Sequence, residues 1–241
     1  ENKVGYIEFY NPPHNALPAT LLAALTETIE TAANDPSISV IVLQSGGDRT
    51  FCAGASFEEL VAISNPEQGT AFFEGFANVI NALRNCSKLT IGRVQGKAVG
   101  GGVGLAAATD YCMATTHSDI KLSELTIGIG PFVIEPAVTR KIGSSAMSQL
   151  SLEASTFFSA QWAHDKGLYM KICSSKESLD ADVKQFAEQL CSYNPEALIQ
   201  LKKTIWEGTE HWAELLKKRA AISGRLVLSE FTKSQLNIRN K

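Results

Sequence analysis

Residues 89–110 read LTIGRVQGKAVGGGVGLAAATD, and the fold is decided there. Leu89–Val94 is apolar and β-branched, which predicts a buried strand. The chain then passes Gly96, turns at Gly100-Gly101-Gly102-Val103-Gly104 and enters Leu105–Ala108, small and helix-prone. Consecutive glycines permit positive φ and leave backbone N–H groups bare of side chains, so a ligand can approach the main chain closely. Where such a turn opens a helix, those N–H groups and the helix dipole favour negative charge. The stretch is read as a binder of an anion, either a permanent one or one that forms during a reaction.

Different sites share this description. Gly102-Val103-Gly104-Leu105-Ala106-Ala107 fits the G-x-G-x-x-A variant of the dinucleotide fingerprint. That fingerprint follows its strand directly and opens its domain, whereas here Gln95 to Val99 intervene. A P-loop is excluded, because no Gly-Lys-Ser/Thr follows. An oxyanion hole needs only one or two well-placed N–H groups. A close strand–helix packing turn explains a single glycine more readily than this cluster. We favour the oxyanion hole.

The chain has 241 residues, enough for one large domain or for a domain with a small appendage. Its net charge of −3 comes with no dense basic run, which argues against nucleic acid as a partner. No apolar run approaches the roughly 18 residues of a membrane span. The 5 cysteines (Cys52, Cys86, Cys112, Cys173 and Cys191) are scattered and read as free thiols in a reducing, cytoplasmic setting. The 4 histidines form no H-E-x-x-H or similar pattern, so no metal site is expected.

Val4–Tyr10 reads as a strand, and Leu17 to Ile29 as an amphipathic helix ending near Asn34-Asp35-Pro36. Val40–Leu43 is a short apolar strand. Phe51-Cys52-Ala53-Gly54-Ala55 is a second run of small residues around a glycine, and Ser56 is placed to cap a helix over Phe57–Ala62. Ser64–Gly69 reads as a loop, and Phe72, Phe73, Phe76, Val79, Ile80 and Leu83 as one helix face. Tyr111–Ala114 and Ile120–Leu122 follow as strands, Thr126–Gly130 as a loop, and Pro136–Ile142, Ala146–Leu152 and Ser159–Gly167 as helices. Met170–Cys173 is the last expected strand. From Leu179 onward only helices are expected, which divides the chain into an α/β core (1–178) and a helical tail (179–241).

Phe51–Ala55, the run Val94-Gln95-Gly96-Lys97-Ala98-Val99-Gly100-Gly101-Gly102, and Glu124-Leu125-Thr126-Ile127-Gly128 resemble, in order and spacing, the three signature blocks of the crotonase (enoyl-CoA hydratase/isomerase) superfamily. The resemblance implies a spiral of ββα units followed by an α-helical trimerisation region, assembled as a homotrimer or homohexamer. It implies an acyl-CoA thioester as substrate, with coenzyme A entering as part of that substrate and no separate cofactor. By position, the N–H groups of Ala55 and Gly101 would form the oxyanion hole. The main chain around Ala53 and Ala55 would contact CoA, and Phe57, Leu60, Gly100, Gly104 and Phe132 would complete the substrate site. Charge that develops on a thioester oxygen during α-proton removal is what two such N–H groups stabilise, by several kcal/mol.

The sequence also departs from the pattern. Two-carboxylate hydratases of this superfamily carry one Glu two residues after the glycine triple and another in the third block. Here the first position is Gly104 and only the second, Glu124, is acidic. Hydration needs a base for the water and an acid for Cα, whereas a double-bond shift needs one carboxylate that takes a proton at C2 and returns it at C4. The expected activity is therefore 3-enoyl-CoA to 2-enoyl-CoA isomerisation through Glu124. The alternative is hydration of a branched or carboxylated enoyl-CoA, with Glu135 supplying the second carboxylate. Glu135 is more readily read as a first-turn helix Glu favoured by the dipole. Where dienoyl-isomerase- and dehalogenase-type relatives carry Asp, this chain has Phe132 or Val133. Two non-enzymatic readings remain: a catalytically weak acyl-CoA binder, and an RNA-associated member, against which the acidic balance counts. The expected surplus of apolar tail residues, Trp206, Trp212, Leu226, Val227 and Phe231, points to packing between subunits.

Overall fold

The computed structural model describes residues 3–239. Its elements run β1 (Val4–Phe9), β2 (Ala16–Leu17), α1 (Ala19–Asn34), β3 (Val40–Ser45), β4 (Thr50–Cys52), β5 (Gly54–Ala55), α2 (Phe57–Ala62), α3 (Pro66–Asn85), β6 (Leu89–Val94), β7 (Lys97–Val99), α4 (Gly101–Ala108), β8 (Tyr111–Thr115) and β9 (Ile120–Lys121). A 3-10 turn over Glu124–Ile127 leads to α5 (Glu135–Leu152), α6 (Ala160–Asp165) and β10 (Lys171–Cys173). Helices α7 (Lys176–Cys191), α8 (Pro195–Ile205), α9 (Trp212–Leu226) and α10 (Glu230–Arg239) close the chain.

The five-stranded sheet has the order β1-β3-β6-β8-β10, every pair parallel. Parallel neighbours need a crossover. Here the strands stack in chain order, so each crossover advances the chain by one rung. Within the crossovers β4, β7 and β9 pair into a second parallel sheet, and β2 pairs with β5. The result is the spiral of ββα units. Sheets of this kind are covered on both faces, and β6 is buried at every position. One face packs on the main core, with α1, α3, α4, α5 and α9. The other carries Val40, Val42, Leu89, Ile91 and Met113 under Leu179, Val183, Ala187 and Leu190 of α7 and Leu198 of α8. Helix α4 is buried from Gly102 to Ala108, as an uncharged helix of small residues can be.

Several boundaries differ from the sequence reading for local reasons. Helix α3 starts at Pro66, because Asn65 caps it by accepting from Gln68 N at 2.9 Å; the expected loop is shorter. Thr126–Gly130 is not simply a loop, since its first residues complete the 3-10 turn begun at Glu124. The two helices expected between Pro136 and Leu152 are two, but they abut at Gly143 (φ 76°, ψ 162°) and form one interrupted run. Ser56 does cap α2, accepting from Glu59 N at 3.4 Å, while Glu59 Oε2 accepts from Ala19 N at 2.8 Å and closes the start of α1.

The tail corrects the expected apolar surplus. Trp206, Trp212 and Val227 are buried within this chain, Leu226 is half-buried, and of the five only Phe231 is exposed. Two contacts account for this. The indole rings of Trp206 and Trp212 meet edge to face at 5.8 Å, with the Arg140 guanidinium 4.1 Å from the Trp206 ring centre. Helix α9 lies so close on α3 that a methyl group on Gly69 would stand 2.6 Å from Gly224 O. The 178/179 division falls inside α7. Among the described residues no helix is long and apolar enough to cross a membrane.

Candidate active site

Two turns of small residues and one carboxylate converge where α4 begins. Gly100 precedes that helix at φ 54°, ψ −121°, a conformation open to glycine and strained for any other residue. Its N–H donates to Lys121 O at 2.8 Å, which draws in the end of β9 and the Ser123-Glu124 turn behind it. A methyl group on Gly100 would lie 3.0 Å from Glu124 Oε1, so the carboxylate sits directly against this turn. From the other side Gly54 (φ 90°) brings β5 in: its Cβ would stand 3.0 Å from Val99 O and 3.5 Å from Gly101 N. Gly101 itself faces the Phe76 ring, with which any side chain would collide.

The backbone donors follow from this arrangement. Val103 N and Gly104 N both donate to Gly100 O, at 2.9 and 3.4 Å, and as the first residue of α4 Gly101 has no intrahelical acceptor for its N–H. Ser56 N donates back to Leu17 O at 3.1 Å. Neighbouring N–H groups along a strand point to opposite sides, so that of Ala55 faces away from β2. Ala55 and Gly101 line the same cavity, of about 360 Å³.

Glu124 is the only carboxylate lining that cavity, and no Lys or Arg lines it among the described residues. The residue is half-buried, but its Oε2 is sealed from solvent and has no hydrogen-bond partner. Burial without a compensating cation disfavours the charged form, and the carboxyl is pushed up to about 7; a bond from its own backbone N–H pulls weakly the other way. A carboxyl of this kind exchanges protons near neutral pH, as a general base must. The Cys52 thiol beneath Gly102 is likewise desolvated, and at about 12 it is inert.

Of the residues singled out in the sequence, Ala53, Ala55, Phe57, Leu60, Gly100, Gly101, Glu124 and Phe132 line the cavity. Gly104 does not. It lies inside α4 without positive φ, and Ile134 fills the space beside it, so a side chain there would strike the Ile134 branch. Glu135 is not a lining residue either: its Oε2 pairs with Arg219, and its Oε1 accepts from Thr139 Oγ1 at 2.5 Å. The cavity also takes residues that the sequence did not single out for the site, among them Pro12, Pro13, His14, Phe73, Phe76, Ile129 and Ser223. Phe73 and Phe76 are on the recognised apolar face of α3; Ser223 enters only because α9 folds back onto α3, for which no sequence signal exists. Gly104→Ala is expected to cost about 1–3 kcal/mol as an overpacking change, because the new methyl group would strike both Cγ2 and Cβ of Ile134. Urea unfolding of the variant reads this, and an undiminished midpoint would contradict the packing.

Known proteins resemble this chain in sequence and in fold. The sequence profile of the enoyl-CoA hydratase/isomerase family matches residues 1–236. The chain is 28% identical over 226 residues to the peroxisomal Delta(3,5)-Delta(2,4)-dienoyl-CoA isomerase of Arabidopsis thaliana, covering 87% of this chain and 80% of that protein. It is 32% identical over 193 residues to the mitochondrial enoyl-CoA hydratase of Pongo abelii, covering 79% and 64% respectively. The crystal structure of an enoyl-CoA hydratase from Bacillus halodurans superposes with a TM-score of 0.91 over 99% of this chain and 97% of that one, at 24% identity, a likeness of fold.

Proposed function

Because the chain belongs to the enoyl-CoA hydratase/isomerase family, the crotonase superfamily, and acts on acyl-CoA thioesters, we propose that it shifts a C=C bond from the 3- to the 2-position of an enoyl-CoA with Glu124 as its single base. The observation that carries this reading is that Glu124 is, among the described residues, the one carboxylate lining the cavity. Glu124 takes a proton from C2, the electron pair moves through C2=C3 as the C3=C4 bond opens, and the same carboxyl returns the proton at C4. In the dienolate between these steps the thioester oxygen carries negative charge, which the N–H groups of Ala55 and Gly101 stabilise at roughly 3 Å. Coenzyme A is part of the substrate, and no further cofactor takes part.

Hydration with Glu135 as second carboxylate is the weaker reading. Glu135 is held by Arg219 outside the cavity lining, and Ile134 occupies the space next to Gly104. The relatives include both an isomerase and a hydratase, so the reaction has to be measured. Incubation with paired 3-enoyl- and 2-enoyl-CoA thioesters, with isomer and 3-hydroxyacyl product followed separately, decides it. Isomer without hydrate is expected; hydrate as the main product would overturn the single-base reading. We also propose a homotrimer or homohexamer, to which the exposed Leu201, Phe231 and Ile238 of the tail would contribute. A monodisperse monomer at micromolar concentration in sedimentation velocity would remove that proposal.

A further inference from the structure

Helix α9 carries two side chains one turn apart that act on the cavity differently. Ser223 is 1% exposed and lines it. Arg219 stands outside the lining and reaches the turn that builds the apolar wall, Phe132-Val133-Ile134. Its Nη1 donates to Phe132 O at 3.2 Å and pairs with Glu135 Oε2, while Thr139 Oγ1 fixes the other oxygen of Glu135. The guanidinium thus ties the wall at both ends, through a backbone carbonyl at Phe132 and a side chain at Glu135. Between these ties the Phe132 ring folds back over Gly130, where a Cβ would collide with it.

Arg219 and Glu135 side chains are 28% and 32% exposed, so the pair is screened and contributes little stability as an ion pair. What it supplies is position. Phe132 is half-buried and faces a cavity, so its place is not dictated by close packing on every side. Among the described residues no Lys or Arg lines the cavity, and a carboxylate on the acyl chain would share it with the Glu124 carboxylate with no guanidinium or ammonium to pair with.

We propose that Arg219 is a positioning residue that sets the depth of the acyl pocket by anchoring Phe132 and Glu135, and that the pocket admits uncharged acyl chains of bounded length. This rests on the acyl-CoA reading of the site. It assigns Glu135 to the wall and gives α9 a part in substrate choice within its own subunit.

The test measures binding of saturated acyl-CoAs from butyryl to dodecanoyl, and of glutaryl-CoA, by calorimetry. Saturated thioesters cannot be isomerised or hydrated, so the result does not depend on the reaction proposed above. Arg219→Met is expected to raise the ratio of long-chain to short-chain affinity by at least about tenfold, the scale on which a hydrophobic pocket discriminates methylene groups. Arg219→Lys, which can still pair with Glu135, should stay closer to the wild-type profile, and glutaryl-CoA should bind more weakly than any uncharged thioester of its length. Should Arg219→Met fail to fold, Glu135→Gln removes the ion pair while leaving a hydrogen bond to Thr139, and is read in the same way. An unchanged ratio in a folded variant, or an equal loss at every chain length, overturns the proposal. A protein that shows the shifted profile but neither isomerises nor hydrates would lose the proposed reaction and keep this inference.

Discussion

Replacing Glu124 with Gln lowers turnover of a 3-enoyl-CoA by at least ~10²-fold, the lower end of what general-base catalysis contributes. The amide keeps the shape of the carboxyl and removes only the base. Acyl-CoA affinity should change little, because the proposed CoA contacts come from the main chain around Ala53 and Ala55. In the wild type, kcat/KM should rise with pH and level off above about 7, where the Glu124 carboxyl ionises. Stability moves the opposite way. A carboxyl raised from an ordinary 4.5 to about 7 keeps its proton in the folded state over that window and loses it in the unfolded state. Stability is therefore greatest below the lower value and falls as pH rises through the window. Glu124→Gln has no such charge to bury, so above pH 7 it should be the more stable protein, by on the order of 1–3 kcal/mol. Thermal unfolding at acid and alkaline pH checks this. Equal midpoints for both proteins at alkaline pH would show that the carboxylate is better solvated than its sealed Oε2 indicates.

Lys202→Met costs about 3–5 kcal/mol, the expense of leaving a buried charge without its partner. Lys202 Nζ and Asp110 Oδ2 meet at 2.9 Å, with side chains 3% and 5% exposed. The ammonium is fully engaged, donating also to Leu83 O and Lys88 O at 2.9 Å each. Asp110 in turn accepts from Thr90 N at 2.7 Å, Thr90 Oγ1 at 2.9 Å and Trp206 Nε1 at 2.6 Å. This network pins α8 and the loop after it to the end of the glycine stretch. Removing the ammonium strands Asp110 among the donors that remain. The double variant Lys202→Met/Asp110→Asn should recover part of the loss, since the stranded charge is then gone. Urea denaturation of wild type, Lys202→Met, Asp110→Asn and the double variant reads the coupling, and Lys202→Met within 1 kcal/mol of wild type would show that the pair holds nothing.

Much of the spiral was legible because its signals are local. The apolar run of β6, the capping Ser56 and the apolar face of α3 each declare themselves within a few residues. Ala55, Gly101 and Glu124 are singled out by a pattern of three blocks, and the cavity they share exists because β5, α4 and the 3-10 turn are brought together by parallel pairing over long sequence distances. What could not be read depends on contacts between segments far apart in the chain. Trp206 and Trp212 look like unpartnered apolar residues until Asp110 and Arg140 are seen beside them. Ser223 and Arg219 reach the site only through the Gly69–Gly224 contact of α3 with α9. Gly104 invited a reading as a bare backbone position, and its actual reason is the bulk of Ile134.

The proposal that Glu124 is the sole base is tested most directly by comparing Glu124→Gln with Glu135→Gln on one short 3-enoyl-CoA, with isomer and 3-hydroxyacyl product quantified in the same reaction. The expected result is that Glu124→Gln loses isomerisation while Glu135→Gln retains it, with no hydrate from either. Full activity in Glu124→Gln together with loss in Glu135→Gln would contradict the single-base assignment and make Glu135 the catalyst.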